Sequence, residues 1–177
     1  MNFLVVGLGN ILLRDEGVGV RLAERLLERY EVPCEVEVMD GGTSGMELIH
    51  TIADRDALIV CDAVSSELSP GTVLRISGDE LPAFFRTKLS PHQLGLSDVL
   101  ATLSLLERMP RQVILIGVVP EDLELGIELS PRIESVMEEA LDLLVAEIES
   151  LGPQLHARPL PSPPMARASE ALGPRLG

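Results

Sequence analysis

Three short runs of uninterrupted apolar residues constrain this chain most: Phe3–Val6 (FLVV), Ala57–Cys61 (ALIVC) and Val113–Val119 (VILIGVV). A strand with one wet face alternates apolar and polar residues. A strand without alternation needs cover on both faces, and that means a largely parallel sheet between two layers of helices. The segments between the runs supply those helices. Val18, Leu22, Leu26 and Tyr30 recur every four residues, with Ala23 and Leu27 beside them. Met46–Ala53 reads as a short helix, and Ser97–Glu107 as another with Ser97 as its N-cap. The last helix starts with Ser130 at the N-cap and Pro131 at N1, and its core face is Ile133, Val136, Met137, Ala140, Leu144 and Ile148. Val36 and Val38 alternate with Glu35 and Glu37 in a strand that ends at Asp40, and Thr72–Ile76 reads as an edge strand. The expected fold is a three-layer α/β/α sandwich around a mostly parallel sheet of about five strands.

At 177 residues one domain is expected, large enough for a core without disulfides or structural metal. The composition shifts near residue 151. Six of the 13 prolines lie beyond it, with three arginines against one glutamate, so the chain's acidity belongs to residues 1–150. Residues 151–177 are therefore expected to be a disordered or loosely attached tail.

Composition excludes several classes of function. A net charge of −14 leaves no basic patch for a polyanion. Aromatics are 2% of the chain, too few for a base-stacking or sugar-binding platform. No apolar run reaches the ~18 residues of a membrane span, and the amino terminus lacks a basic region typical of signal peptides. Two cysteines, Cys34 and Cys61, form no metal-binding cluster or disulfide framework, and a reducing, cytoplasmic setting is expected. Nothing in the sequence demands a dimer, so the chain is read as a monomer.

In open α/β sheets, ligands bind beyond the carboxyl ends of the strands. There the first strand is followed by Gly7-Leu8-Gly9-Asn10 and then Arg14-Asp15-Glu16-Gly17, the second ends at Asp40-Gly41-Gly42, and the third ends at Asp62. His92 is read in a loop able to fold over the same edge. Carboxylates with one imidazole and no thiolate suit a borderline divalent metal. Each position also has an ordinary structural reading. Asp15 and Glu16 could favour a helix N-terminus by charge, Asp40 could be a turn residue, and His92 a surface histidine. Asp62 is less ordinary, because a carboxylate at a buried strand end needs partners. Several motifs fail outright. Leu12 stands where a dinucleotide fingerprint needs its third glycine, no G-K-[ST] or H-E-x-x-H occurs, and Gly42-Thr43-Ser44-Gly45 lacks nucleophile-elbow spacing.

Five stretches carry a resemblance: GLGNILLRDEGVGV (7–20), DGGTSGMEL (40–48), IVCDAV (59–64), SPHQLGLSDVLA (90–101) and GVVPEDLELGIELSP (117–131). Together, in this order, they are similar to the hydrogenase maturation endopeptidases, which process the large subunit of nickel–iron hydrogenases. The resemblance implies an α/β/α fold and a single cut that removes a C-terminal extension from the large-subunit precursor after nickel insertion. It implies that Glu16, Asp62 and His92 engage nickel carried by that precursor. It makes Asp40 a further motif position. On chemical grounds Asp40, the candidate catalytic residue, or another carboxylate free of metal could act as general base. Metal polarisation of the scissile carbonyl or of a water is the other route, so aspartic-type and metal-assisted mechanisms both stay open. Two rival readings remain: a non-proteolytic nickel-binding assembly factor using the same residues, and a small-molecule hydrolase or nucleotide-binding protein. The broken glycine spacing and the missing phosphate-binding lysine weigh against the nucleotide version.

Overall fold

The computed structural model describes residues 1–78, 80–81 and 91–159, with only the backbone of residues 91–94. Its main sheet has five strands: β1 (Phe3–Leu8), β3 (Val36–Gly42), β4 (Ala57–Ala63), β5 (Val73–Ser77) and β6 (Gln112–Val118), in the order β3-β1-β4-β6-β5. All pairings are parallel except that of the edge strand β5 with β6. β1 and β4 are buried along their whole length, as their unbroken apolar runs require.

Alternation along each strand sorts the core into two halves. Val5, Ile59, Cys61, Ile114 and Ile116 face helix α1 (Val18–Arg29) and the long helix Pro131–Ser150. Leu4, Val6, Leu58, Val60 and Leu115 face the opposite layer, built from Leu48, helix α2 (Ile49–Ile52) and helix α3 (Pro91–Leu105). With Pro131–Ser150 as α4, the molecule is the three-layer sandwich expected from the sequence. Ser130 caps α4: its Oγ accepts the Ile133 N–H at 3.4 Å, with Pro131 in the first turn.

Two expectations need correction. Helix α3 starts at Pro91, so Ser97 is interior and His92 lies in a first helical turn, where a loop was expected. Ser90-Pro91 has the same Ser-Pro pattern as Ser130-Pro131, and proline's fixed φ suits a first helical turn in both. Gly95 obscured the helix because interior glycine costs roughly 1 kcal/mol relative to alanine. The body also continues past residue 150. Strand β7 (His156–Ala157) pairs antiparallel with β2 (Tyr30–Glu31), Leu155 is buried in the core, and the Arg158 N–H donates to the Arg29 carbonyl at 2.7 Å. The proline-rich segment thus contributes structure through Arg158, and residues 160–177 lie outside the described residues. No described helix is long and apolar enough to cross a membrane.

Candidate active site

β1 leads through α1 to β3 on one side of it, and β3 leads through α2 to β4 on its other side. The strand order therefore reverses between β1 and β4, which opens a crevice at their carboxyl ends. Glu16 and Asp62 both stand at this crevice.

Glu16 belongs to the short helical turn Arg14–Gly17, which packs against β4. Glycines set how close that turn comes. Gly9 has φ +126°, and a Cβ there would lie 1.8 Å from the Glu16 carbonyl oxygen. A Cβ on Gly19 would lie 2.1 Å from the Cys61 carbonyl oxygen. Gly9 thus presses on the backbone of Glu16, and Gly19 on the residue before Asp62. Gly7 belongs to the same packing, since a Cβ there would lie 2.4 Å from the Gly19 carbonyl oxygen.

Asp62 is 1% exposed. By strand alternation it shares the face of Leu58 and Val60, the face covered by α3. Its neighbour Cys61 faces α1, and its thiol is pushed far above the usual range, first by burial and then by the Asp62 charge. Cys61 is therefore an inert packed residue, not a nucleophile.

Near its start, α3 meets the glycine-rich loop after β3 through a backbone contact. A Cβ on Gly95 would lie 3.0 Å from the Gly45 Cα, so helix and glycine-rich loop touch without side chains between them. His92 sits one turn before Gly95, and Leu96, Val99 and Leu103 follow it at helical spacing on the buried side of α3. This register brings the His92 position to the face that carries Asp62. The His92 side chain lies outside the described residues.

Asp40 stands apart. It pairs in register with Gly7 in β1, while Gly7 pairs with Cys61 in β4. Asp40 is thus on the α1 face and about 10 Å from β4, two strand spacings away. It is exposed, and its Oδ1 accepts the Gly42 N–H at 2.7 Å, where Gly42 has φ +51°. That is an Asx turn, the ordinary reading of an Asp before Gly-Gly. Among the described residues, no three His, Cys, Asp or Glu side chains are grouped so as to hold a metal ion.

Sequence reasoning gave Asp15 no more than a helix-end charge, but it is the most heavily engaged carboxylate of the region. It is fully buried. Oδ2 accepts the N–H groups of Glu121 (3.0 Å) and Asp122 (2.8 Å) and the Ser130 hydroxyl (2.8 Å), and Oδ1 accepts the Ser130 N–H (2.7 Å). It ties the loop after β6 and the start of α4 to the turn that carries Glu16. Only the recurrence of Asp15 and Ser130 in two of the motif stretches hinted at this, and no local pattern pairs residues 115 positions apart.

This fold recurs in known proteins. The family model for hydrogenase maturation proteases matches residues 20–147. The hydrogenase 2 maturation protease of Escherichia coli is 48% identical over 153 residues, which cover 86% of this chain and 93% of that protein. The hydrogenase expression/formation protein HoxM of Azotobacter vinelandii is 42% identical over 97% of this chain and 84% of its own length. Among solved structures, the hydrogenase maturating endopeptidase HybD of E. coli superposes with a TM-score of 0.86 at 47% identity, over 89% of this chain and 98% of that one. The [NiFe] hydrogenase maturation protease HybD of Thermococcus kodakarensis gives 0.69 at 28% identity, over 85% and 99%. The chain belongs to the hydrogenase maturation protease family and is an endopeptidase of that class.

Proposed function

We propose that this endopeptidase removes the C-terminal extension of a nickel–iron hydrogenase large-subunit precursor after nickel insertion, and that Glu16, Asp62 and His92 engage the nickel the precursor carries. The observation that carries the proposal is the packing of the Glu16 turn against β4, which ends at buried Asp62 on the sheet face that α3 covers, with His92 in the first turn of that helix. Two carboxylates and one imidazole are too few and too hard to strip nickel from thiolates, but they can complete the shell of a metal held by the precursor. Docking then depends on a loaded metal site, which selects nickel-loaded precursor by requirement. The setting is the cytoplasm, where Cys34 and Cys61 remain free thiols.

Asp40 is the proposed general base, acting on the precursor backbone from the exposed end of β3, two strands from β4 and on the α1 face, and not at the nickel itself. The Gly42 N–H fixes one of its oxygens and so orients the carboxylate at the exposed end of β3. Asp40→Asn keeps the turn, because asparagine also supports an Asx turn. It is expected to lower kcat by about 10²–10⁴-fold without changing Tm; wild-type turnover would reduce Asp40 to a turn residue. The metal assignment is tested on purified nickel-loaded precursor. Asp62→Asn and His92→Ala are expected to fold, to bind loaded precursor no better than nickel-free precursor, and to leave its length unchanged. His156→Ala, on β7, is expected to process normally. Normal processing by either ligand variant removes that residue from the set.

A further inference from the structure

The loop that Asp15 anchors exposes a run of large aliphatic side chains. Leu123, Leu125 and Ile127 are 52, 82 and 65% exposed, and Ile11 and Leu12 beside them are 37 and 57% exposed. The two segments are joined by backbone: the Arg14 N–H donates to the Gly126 carbonyl and the Gly126 N–H to the Leu12 carbonyl, each at 2.9 Å. Arg21 Nη2 donates to the Ile127 carbonyl at 3.2 Å, and Arg14 pairs with Asp122 at 3.3 Å. Connecting loops are normally polar, and an untethered loop of leucines would fold its side chains onto the nearest apolar surface. Here a buried carboxylate, an ion pair and two backbone bonds hold them out in water.

We infer that Ile11, Leu12, Leu123, Leu125 and Ile127 form the surface on which the hydrogenase precursor docks, through an apolar face with a basic rim. The inference rests on the function proposed above and adds the protein–protein contact that a metal check alone lacks. Three features favour this occupant. The ridge adjoins the crevice: a Cβ on Gly17, next to Glu16, would lie 2.8 Å from the Ile11 Cα. Exposed Glu121, Glu124 and Glu128 are interleaved with the leucines, so a matching partner carries Lys or Arg around an apolar centre. A second copy of this chain would set the same acidic fringe against itself, and the net charge of −14 opposes such a pairing. A ridge fixed before binding also has little ordering entropy to lose.

The test measures equilibrium binding of nickel-loaded precursor and steady-state processing, in parallel, for wild type, the double variant Leu123→Asp/Leu125→Asp, and Leu105→Asp. Leu105 is 87% exposed at the far end of α3 and serves as the control. The double variant is expected to keep the wild-type Tm, to raise Kd and KM at least tenfold, and to retain kcat at saturating precursor, with Leu105→Asp unchanged. Wild-type Kd in the double variant, or no binding by the wild type, overturns the docking surface. If the wild type binds precursor without shortening it, the proposed reaction fails, and the Kd comparison still decides the ridge in either direction.

Discussion

Asp15 receives three N–H groups and one hydroxyl in a site closed to water. Asparagine offers one acceptor oxygen, and its amide nitrogen would face donors. Asp15→Asn should therefore destabilise the fold by at least about 2 kcal/mol, a Tm drop of roughly 4–8 °C for a chain of this size. Thermal unfolding checks this; an unchanged Tm would mean that the loop after β6 is held by other contacts. At Gly9 the cost is steric. Gly9→Ala places a methyl group against the Glu16 carbonyl at a positive φ and should lose more than about 1 kcal/mol. Its Tm should fall and its processing should fall with it, because the turn that carries Glu16 must move. At this scale the sequence was half informative. Glu16, Asp40 and Asp62 could be placed at one sheet edge by counting strand ends. The split between faces, with Asp62 toward α3 and Asp40 toward α1, follows from strand register, which a list of strand ends omits. Asp15 was read as a capping charge because its partners lie more than 100 positions away.

At the scale of elements, the errors share one cause: a local signal outweighed by packing. Gly95 breaks the helical pattern in sequence, but its missing side chain lets α3 touch Gly45, so the helix runs through it. Gly95→Leu should push α3 away from Gly45 and lower the Tm, which thermal unfolding checks. The prolines after residue 150 suggested a loose tail, but Leu155 fills the core between α4 and the sheet, and β7 closes the short ribbon with β2. A chain ending at Ser150 loses that buried leucine, worth about 2 kcal/mol of burial, along with the β7 pairing. It should melt below a chain ending at Pro159. Equal melting of the two shortened chains would mean that residues 151–158 lie on the body without supporting it.

At the scale of the molecule, the architecture was legible because three apolar runs demand cover on both faces, and β1, β4 and β6 supply them at adjacent positions in the sheet. The reversal of strand order between β1 and β4 then places the crevice. Acidity distributed over the body favours a partner with basic character. In the proposed function, this crevice reads nickel on a protein substrate before cutting it. Mass spectrometry of the precursor's C-terminus, after incubation with the wild-type protein, tests it most directly. The expected result is one clean loss of the C-terminal extension from nickel-loaded precursor and an intact chain from nickel-free precursor. Equal cutting of both forms would contradict it.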